Sequence, residues 1–298
     1  MTEFSQWVAQ HQVNFNKALI SQIHQAIPKH QNQLHDAIIY VSTKTGKVIR
    51  PLLCFATAAV FNAPSIIVQP LAIGLELIHT YSLIHDDLPA MDNDALRRGH
   101  PTCHIKYDEA TAILVGDALQ SMAFQVIGEC NLPDAIKVKA IIILAKAAGV
   151  AGMAGGQMLD MKATNQSQAL STLAELDHLH SLKTGAIIEA GILMSALACP
   201  NYETAFEPTL KEFAQNIGVA FQIQDDILDV IGNTHDLGKT AGSDASLNKL
   251  TYPALLGLQQ SQERLQELHQ KATRSLQQIP KDTTRLEELA AFIIHRRF

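Results

Sequence analysis

The chain has 298 residues and a mass of 32.5 kDa, room for one large domain or two ordinary ones. Apolar residues make up 47% of it and charged residues 17%, enough for a large core, while aromatics are only 5% beside abundant Ala, Leu and Ile, a mixture that suits packed helices over sheets. A net charge of -6 and a pI near 6.1 argue against a general nucleic-acid binder with a basic face, but leave phosphate-bearing small ligands open, because a few local cations and metal overcome weak global repulsion.

The first segment, Met1 to Gln12, carries Glu3, Gln6, Gln10 and His11 and has neither a basic nor an apolar leader region, so no signal peptide is expected. Helical spacing begins at Phe15, Leu19 and Ile23 and continues through Leu71, Leu75 and Ile78, the run 135–150, the segment 210–230 and the tail 259–298. Breaks are expected at Asn62-Ala63-Pro64, Arg98-Gly99-His100-Pro101, Asn131-Leu132-Pro133, Cys199-Pro200-Asn201, Glu207-Pro208 and from Gly238 to Ser243. These divide the chain into about ten helices, and no convincing strand pattern intervenes. The segments 140–145 and 185–198 are apolar on more than one face, which predicts two helices at the centre of a bundle. No linker separates two halves, so the expectation is all-α, one domain over residues 1–298. Cys54, Cys103, Cys130 and Cys199 are scattered without metal-ligand spacing and read as free thiols of a cytoplasmic protein. No stretch approaches about 20 uninterrupted apolar residues, so no membrane span is expected.

Two acidic clusters interrupt this apolar background: Asp86-Asp87-Leu88-Pro89-Ala90-Met91-Asp92, followed by Asn93-Asp94, and Asp225-Asp226-Ile227-Leu228-Asp229. A solvated helix face is the plain reading of one such cluster. Two of them, each after an apolar stretch, require a compensating cation, and a hard divalent metal with oxygen ligands suits carboxylates. Asp225 and Asp229, four apart, share a face of an unbroken helix. Asp86 and Asp92, six apart, would diverge by about 120° in a straight helix, but Pro89 cannot continue one, and a helix end there swings Asp92 back. Two facing clusters thus suggest a diphosphate clamped between magnesium ions.

Phosphates also need protein cations. Lys47 and Arg50 lie three apart on one face, Arg97-Arg98 follow the first cluster, Lys183-Thr184 interrupt an apolar helix, and Lys239 follows the second cluster. Most lone surface cations only solvate, but an unpaired ammonium at Lys183 would be expensive to bury. His79 lies two helical turns before Asp86, so a phosphate contact competes with a satisfied core histidine.

The ordered set Thr45-Gly46-Lys47-Val48-Ile49-Arg50-Pro51, His79, the first cluster with Leu96-Arg97-Arg98-Gly99, Gly155-Gly156-Gln157-Met158-Leu159-Asp160, Lys183-Thr184-Gly185, residues 221–229, Gly238-Lys239 and Thr251-Tyr252-Pro253 resembles the trans-isoprenyl diphosphate synthases, the bacterial farnesyl group in particular. The resemblance implies a bundle of about ten core helices around a deep cavity, usually homodimeric, with substrates that are isoprenoid diphosphates. It implies that Asp86, Asp92 and Asp225 ligate about three magnesium ions, with Asp87, Asp226 and Asp229 in support. Lys47, Arg50, His79 and Arg98 would hold isopentenyl diphosphate. Arg97, Lys183, Thr184, Gln222 and Lys239 would hold the allylic diphosphate, and Gln157 and Asp160 would order metal-bound water. The family's usual Gly-Gly-Lys-Arg-x-Arg-Pro reads differently at Thr45 and Val48, which removes one glycine and one cation. Tyr81 and Ser82, with the Pro89-Ala90 insertion, match the farnesyl arrangement, in which an aromatic ring limits chain length. Closure of the Gly238-Lys239 loop and the tail Arg296-Arg297-Phe298 would exclude water. The rival readings are a geranylgeranyl or geranyl synthase on the same scaffold, a terpene cyclase, and a silent partner subunit.

Overall fold

The computed structural model describes residues 2–27, 32–165, 172–232 and 250–296. Among these the chain forms fourteen α-helices: α1 (Glu3–Ala26), α2 (Gln33–Thr43), α3 (Ile49–Val60), α4 (Ser65–Asp86), α5 (Cys103–Lys106), α6 (Glu109–Glu129), α7 (Asp134–Ala148), α8 (Met153–Asn165), α9 (Leu173–His180), α10 (Ala186–Ala198), α11 (Glu207–Ile231), α12 (Tyr252–Leu256), α13 (Leu258–Leu276) and α14 (Thr284–His295). The all-α expectation holds, and the count exceeds ten because α5 and α12 are single turns and a π-turn at Ser181–Gly185 separates α9 from α10. A strand pair that periodicity did not show, β1 (Leu96–Arg97) against β2 (His100–Pro101), sits at the expected Arg98-Gly99 break. At Glu207-Pro208 the chain enters α11, because proline is tolerated in a first helical turn. The Gly238–Ser243 break lies outside the described residues.

Local chemistry sets these boundaries. The Asp108 carboxylate accepts from the Thr111 N–H at 2.7 Å to start α6, and Thr172 with Glu175 forms a reciprocal capping box at α9. In α1, Val8, Phe15, Leu19 and Ile23 fall on one buried stripe. Helix α10 is buried nearly all round and packs against α3, α4, α7 and α11, as its sequence predicts. The matching expectation for 140–145 is corrected: Ala140 and Leu144 are buried, but Ile142 is 47% exposed, so α7 lies at the surface with an apolar outer face.

Four stretches, Ser65–Asp86, Glu109–Glu129, Asp134–Ala163 and Leu173–Ala198, are long and apolar enough by composition to cross a membrane, although polar residues interrupt each of them. Here their apolar side chains pack on one another in a continuous core running from Val8 to Ile294, and α4 also carries Glu76, His79 and Asp86.

Helix α11 approaches the π-turn so closely that a Cβ on Gly218 would stand 2.8 Å from the Gly185 Cα, backbone that cannot yield as a flexible side chain would. Gly218→Ala is therefore expected to lower unfolding free energy by about 1–3 kcal/mol. Urea denaturation measures this, and an unchanged midpoint would mean that the two segments do not touch.

Candidate active site

The first acidic cluster begins where α4 stops. The helix ends at Asp86, the Met91 and Asn93 amides both return to the Leu88 carbonyl, and the Asp92 N–H donates to the Asp86 carbonyl at 2.8 Å. The reversal expected around Pro89 is what brings Asp92 beside Asp86. Asp87 takes another path. It is 3% exposed and accepts from Arg97 Nε at 3.0 Å, while Arg97 also pairs with Asp94 at 2.9 Å. The hairpin explains how two consecutive arginines serve two places. Arg98 and Gly99 form the two-residue turn between β1 and β2, both with positive φ (54° and 75°), as this tight hairpin geometry requires. Arg98 then reaches away from Arg97 and donates to the Lys44 carbonyl at 2.6 Å. Gly46 leaves room for it, since a Cβ there would lie 3.0 Å from Arg98 Nε.

The second cluster lies on unbroken α11. Of its three aspartates, only Asp225 lines the same cavity of about 580 Å³ as Asp86. The Asp226 carboxylate accepts from Gln222 Nε2 (2.8 Å) and from the Tyr252 N–H (3.0 Å), and the Tyr252 hydroxyl donates to Asp177, which also pairs with Arg264. Asp226 therefore ties α11 to α12 and α9. Asp229, one turn beyond Asp225, is 5% exposed and stands outside the cavity lining. Thr184 donates to the Gln222 amide oxygen at 3.3 Å, which joins the π-turn to α11.

Lys183 sits on that π-turn. One extra residue in the turn shifts the register, and such insertions recur at functional positions. Its ammonium lines the cavity and pairs with Asp160 at 2.5 Å, so the burial cost expected for a lone lysine is offset. Arg50 donates to His79 Nε2 at 3.2 Å, and its guanidinium lies 5.5 Å from the Phe221 ring centre. Burial, and then Arg50 itself, hold His79 well below the usual histidine range, so it is neutral and accepts. Lys47 is pushed down to about 8 by burial and by Arg296, against the pull of Asp225. Val48, where the family's motif has a cation, is 4% exposed and adopts left-handed backbone (φ 47°); its side chain packs in the core. Lys239 lies outside the described residues.

Tyr81 and Ser82 both line the cavity. Ser82 spends its hydroxyl on the His79 carbonyl at 2.8 Å. The Tyr81 ring is 8% exposed and meets His85 edge-on at 5.8 Å. Gly116 of α6 makes space for His85, since a Cβ there would stand 2.1 Å from His85 Nε2. Sequence reading missed this pair, the methionine wall of Met153, Met158 and Met161, and the placement of Arg296, whose guanidinium pairs with Asp225 at 2.8 Å. Nothing in the spacing of the tail connects it with residue 225.

The lining suits a hard metal held jointly with an anion. Among the described residues no three His, Cys, Asp or Glu side chains form a cage by themselves, so a metal held here would take its further oxygen ligands from water and a bound group. Arg50 Nε and Gln157 Nε2 are buried without a hydrogen-bond partner beside the same cavity. Burial pushes Asp86 up to about 6, with Lys183 opposing and Asp92 adding to the shift. Relative to an unfolded value near 3.9, the fold favours its protonated form; that stabilisation is complete below about pH 4 and is lost as pH rises through about 6. Asp86→Asn should therefore make the metal-free protein more stable than the parent at pH 8, by about 1–2 kcal/mol, with the gap closing toward pH 4. Urea titrations at the two pH values measure it, and equal stability at pH 8 would contradict the electrostatic account.

Residues 31–286 match the family model described as polyprenyl synthetase. The chain is 44% identical, over all of both sequences, to the farnesyl diphosphate synthase of Haemophilus influenzae. It is 41% identical to the geranylgeranyl diphosphate synthase of Cyanophora paradoxa, over 88% of this chain and 87% of that one. The fold superposes with a TM-score of 0.84 and 32% identity on a geranyltransferase from Helicobacter pylori complexed with magnesium and isoprenyl diphosphate, covering 99% of this chain and 97% of that one. With the cavity, its carboxylates and its cations in the order the motifs require, the chain belongs to the polyprenyl synthetase family.

Proposed function

We propose that this chain condenses isopentenyl diphosphate head to tail with dimethylallyl and then geranyl diphosphate to give farnesyl diphosphate. The observation that carries this reading is one cavity lined by Asp86 and Asp225 from different helices, by the cations Arg50, Arg97, Arg98 and Lys183, and by the aromatic rings of Tyr81 and Phe221. A terpene cyclase would not need the separate cationic patch of Lys47, Arg50 and Arg98. A silent subunit would not need both acidic clusters.

In this reading Asp86, Asp92 and Asp225 hold magnesium, roughly three ions with diphosphate bound. When bound, the metal supplies Lewis-acid stabilisation of the departing diphosphate. The residues of the chain do the remaining work. Arg97, Lys183, Thr184 and Gln222 orient the allylic diphosphate, with Lys239 completing the set. Lys47, Arg50, His79 and Arg98 hold isopentenyl diphosphate so that its double bond faces the allylic carbon. The carbon–oxygen bond to diphosphate breaks, the double-bond electrons form the new carbon–carbon bond, and a proton passes to the released diphosphate to restore an alkene. Met153, Met158, Ile187 and Phe221 keep the cavity wall apolar, which keeps water from quenching the cation. The whole chain acts as one cytoplasmic domain, in keeping with its free cysteines. A homodimer is supported by the exposed apolar side chains Ile113 and Leu114 on α6 and Val138 and Ile142 on α7.

Asp86→Ala should lower turnover of dimethylallyl and isopentenyl diphosphates by at least about a hundredfold while the helical circular dichroism persists. Condensation at the parental rate would remove the assignment. Tyr81→Ala, by clearing the ring from the cavity floor, should extend products from farnesyl toward geranylgeranyl chains. Chromatography of radiolabelled products from parent and variant reads both lengths, and an unshifted farnesyl profile would rule out Tyr81 as the ruler.

A further inference from the structure

The Arg296 guanidinium is 93% buried, leaving 7% of its side chain exposed, between the last helix and the acidic wall of α11. It pairs with Asp225 at 2.8 Å, donates to the Phe221 carbonyl at 2.9 Å, and stacks 3.9 Å from the Phe221 ring centre. Its own carbonyl accepts from Gln224 Nε2 at 2.8 Å, so the backbone of the tail is pinned to the same helix. Arg296 Nε is buried without a partner, so the guanidinium is incompletely satisfied where it sits. Asp225, by contrast, is 44% exposed toward the cavity.

We infer that Arg296 is a positioning residue that serves as an internal counter-ion for Asp225 in the metal-free protein, and that its guanidinium competes with metal for that carboxylate. This rests on the proposed function, in which Asp225 is a magnesium ligand. The guanidinium engages only one Asp225 oxygen, Oδ1 at 2.8 Å, but its charge neutralises the carboxylate and repels a divalent cation at the other, so the ion pair and the metal compete for Asp225. Arg50 lies 5.5 Å from the same Phe221 ring, and the Arg296 charge bears on Lys47, so once metal takes Asp225 the guanidinium is left among like charges that favour its departure. Tail docking and metal binding then oppose each other, and the coupling is reciprocal: whatever the tail costs the metal, the metal costs the tail.

Calorimetric titration of Mn²⁺ into the full-length protein with saturating inorganic pyrophosphate tests this, alongside hydrogen exchange of the segment 290–296. Arg296→Leu is expected to bind Mn²⁺ about fivefold more tightly than the parent. Gln224→Ala, which frees the tail without touching its charge, should move affinity in the same direction. In the parent, Mn²⁺ with pyrophosphate should speed exchange at 290–296. Equal or weaker metal binding by Arg296→Leu, or slower exchange in the parent on loading, overturns the inference. Asp225→Asn separates the two layers. Its loss of Mn²⁺ affinity supports the ligand assignment, whereas unchanged affinity defeats that assignment and the counter-ion with it.

Discussion

The structure depends on how it holds carboxylates that it has no reason to bury except to use them. Asp86 and Asp225 face one cavity from two helices, and in the absence of a divalent ion the protein supplies its own positive charge: Lys183 near Asp86, and Arg296 at Asp225. The compensation is uneven. At Asp86, burial wins over Lys183 and the carboxyl keeps its proton to about pH 6. At Asp225 an ion pair is formed directly. Neither arrangement satisfies the cavity, as the orphaned Arg50 Nε and Gln157 Nε2 record. In the proposed reaction the same deficit is what draws in metal and diphosphate together, since among the described residues no protein cage would hold a metal alone.

The groups are placed by departures from regular helix. The turn at Pro89 folds Asp92 back onto Asp86, the two positive-φ residues of the hairpin split Arg97 from Arg98, and the π-turn carries Lys183 between α9 and α10. Each irregularity is backed by rigid packing. Gly218 and Gly156 let α11 and α8 press directly on the π-turn backbone; a Cβ on Gly156 would sit 2.3 Å from the Lys183 nitrogen. Precision at Lys183 thus comes from two glycines on other helices, one of them within the Gly155-Gly156-Gln157 motif.

Much of this was legible in the sequence because it depends on local rules. Apolar spacing gives α1, α4 and α11, proline chemistry gives the reversal between Asp86 and Asp92, and the cost of burying an ammonium signals that Lys183 has a partner, found at Asp160. What stayed hidden depends on packing between distant segments. The apolar face of α7 reads as core, yet Ile142 is exposed, because periodicity does not say which side of a bundle a helix takes. Asp226 and Asp225 are adjacent and chemically identical; the family resemblance tells them apart, but that the Tyr252 N–H is what holds Asp226 away from the cavity is visible only in the fold. The Arg296–Asp225 pair joins residues 71 positions apart, and no motif spacing encodes it.

The claim that the two acidic walls act as one metal–diphosphate clamp is tested most directly by locating the metal. Crystals grown with Mn²⁺ and pyrophosphate should show anomalous scattering peaks in the cavity between Asp86 with Asp92 on one side and Asp225 on the other, bridged by the diphosphate. Peaks confined to one wall, or pyrophosphate bound by the cations with no metal at Asp225, would contradict it.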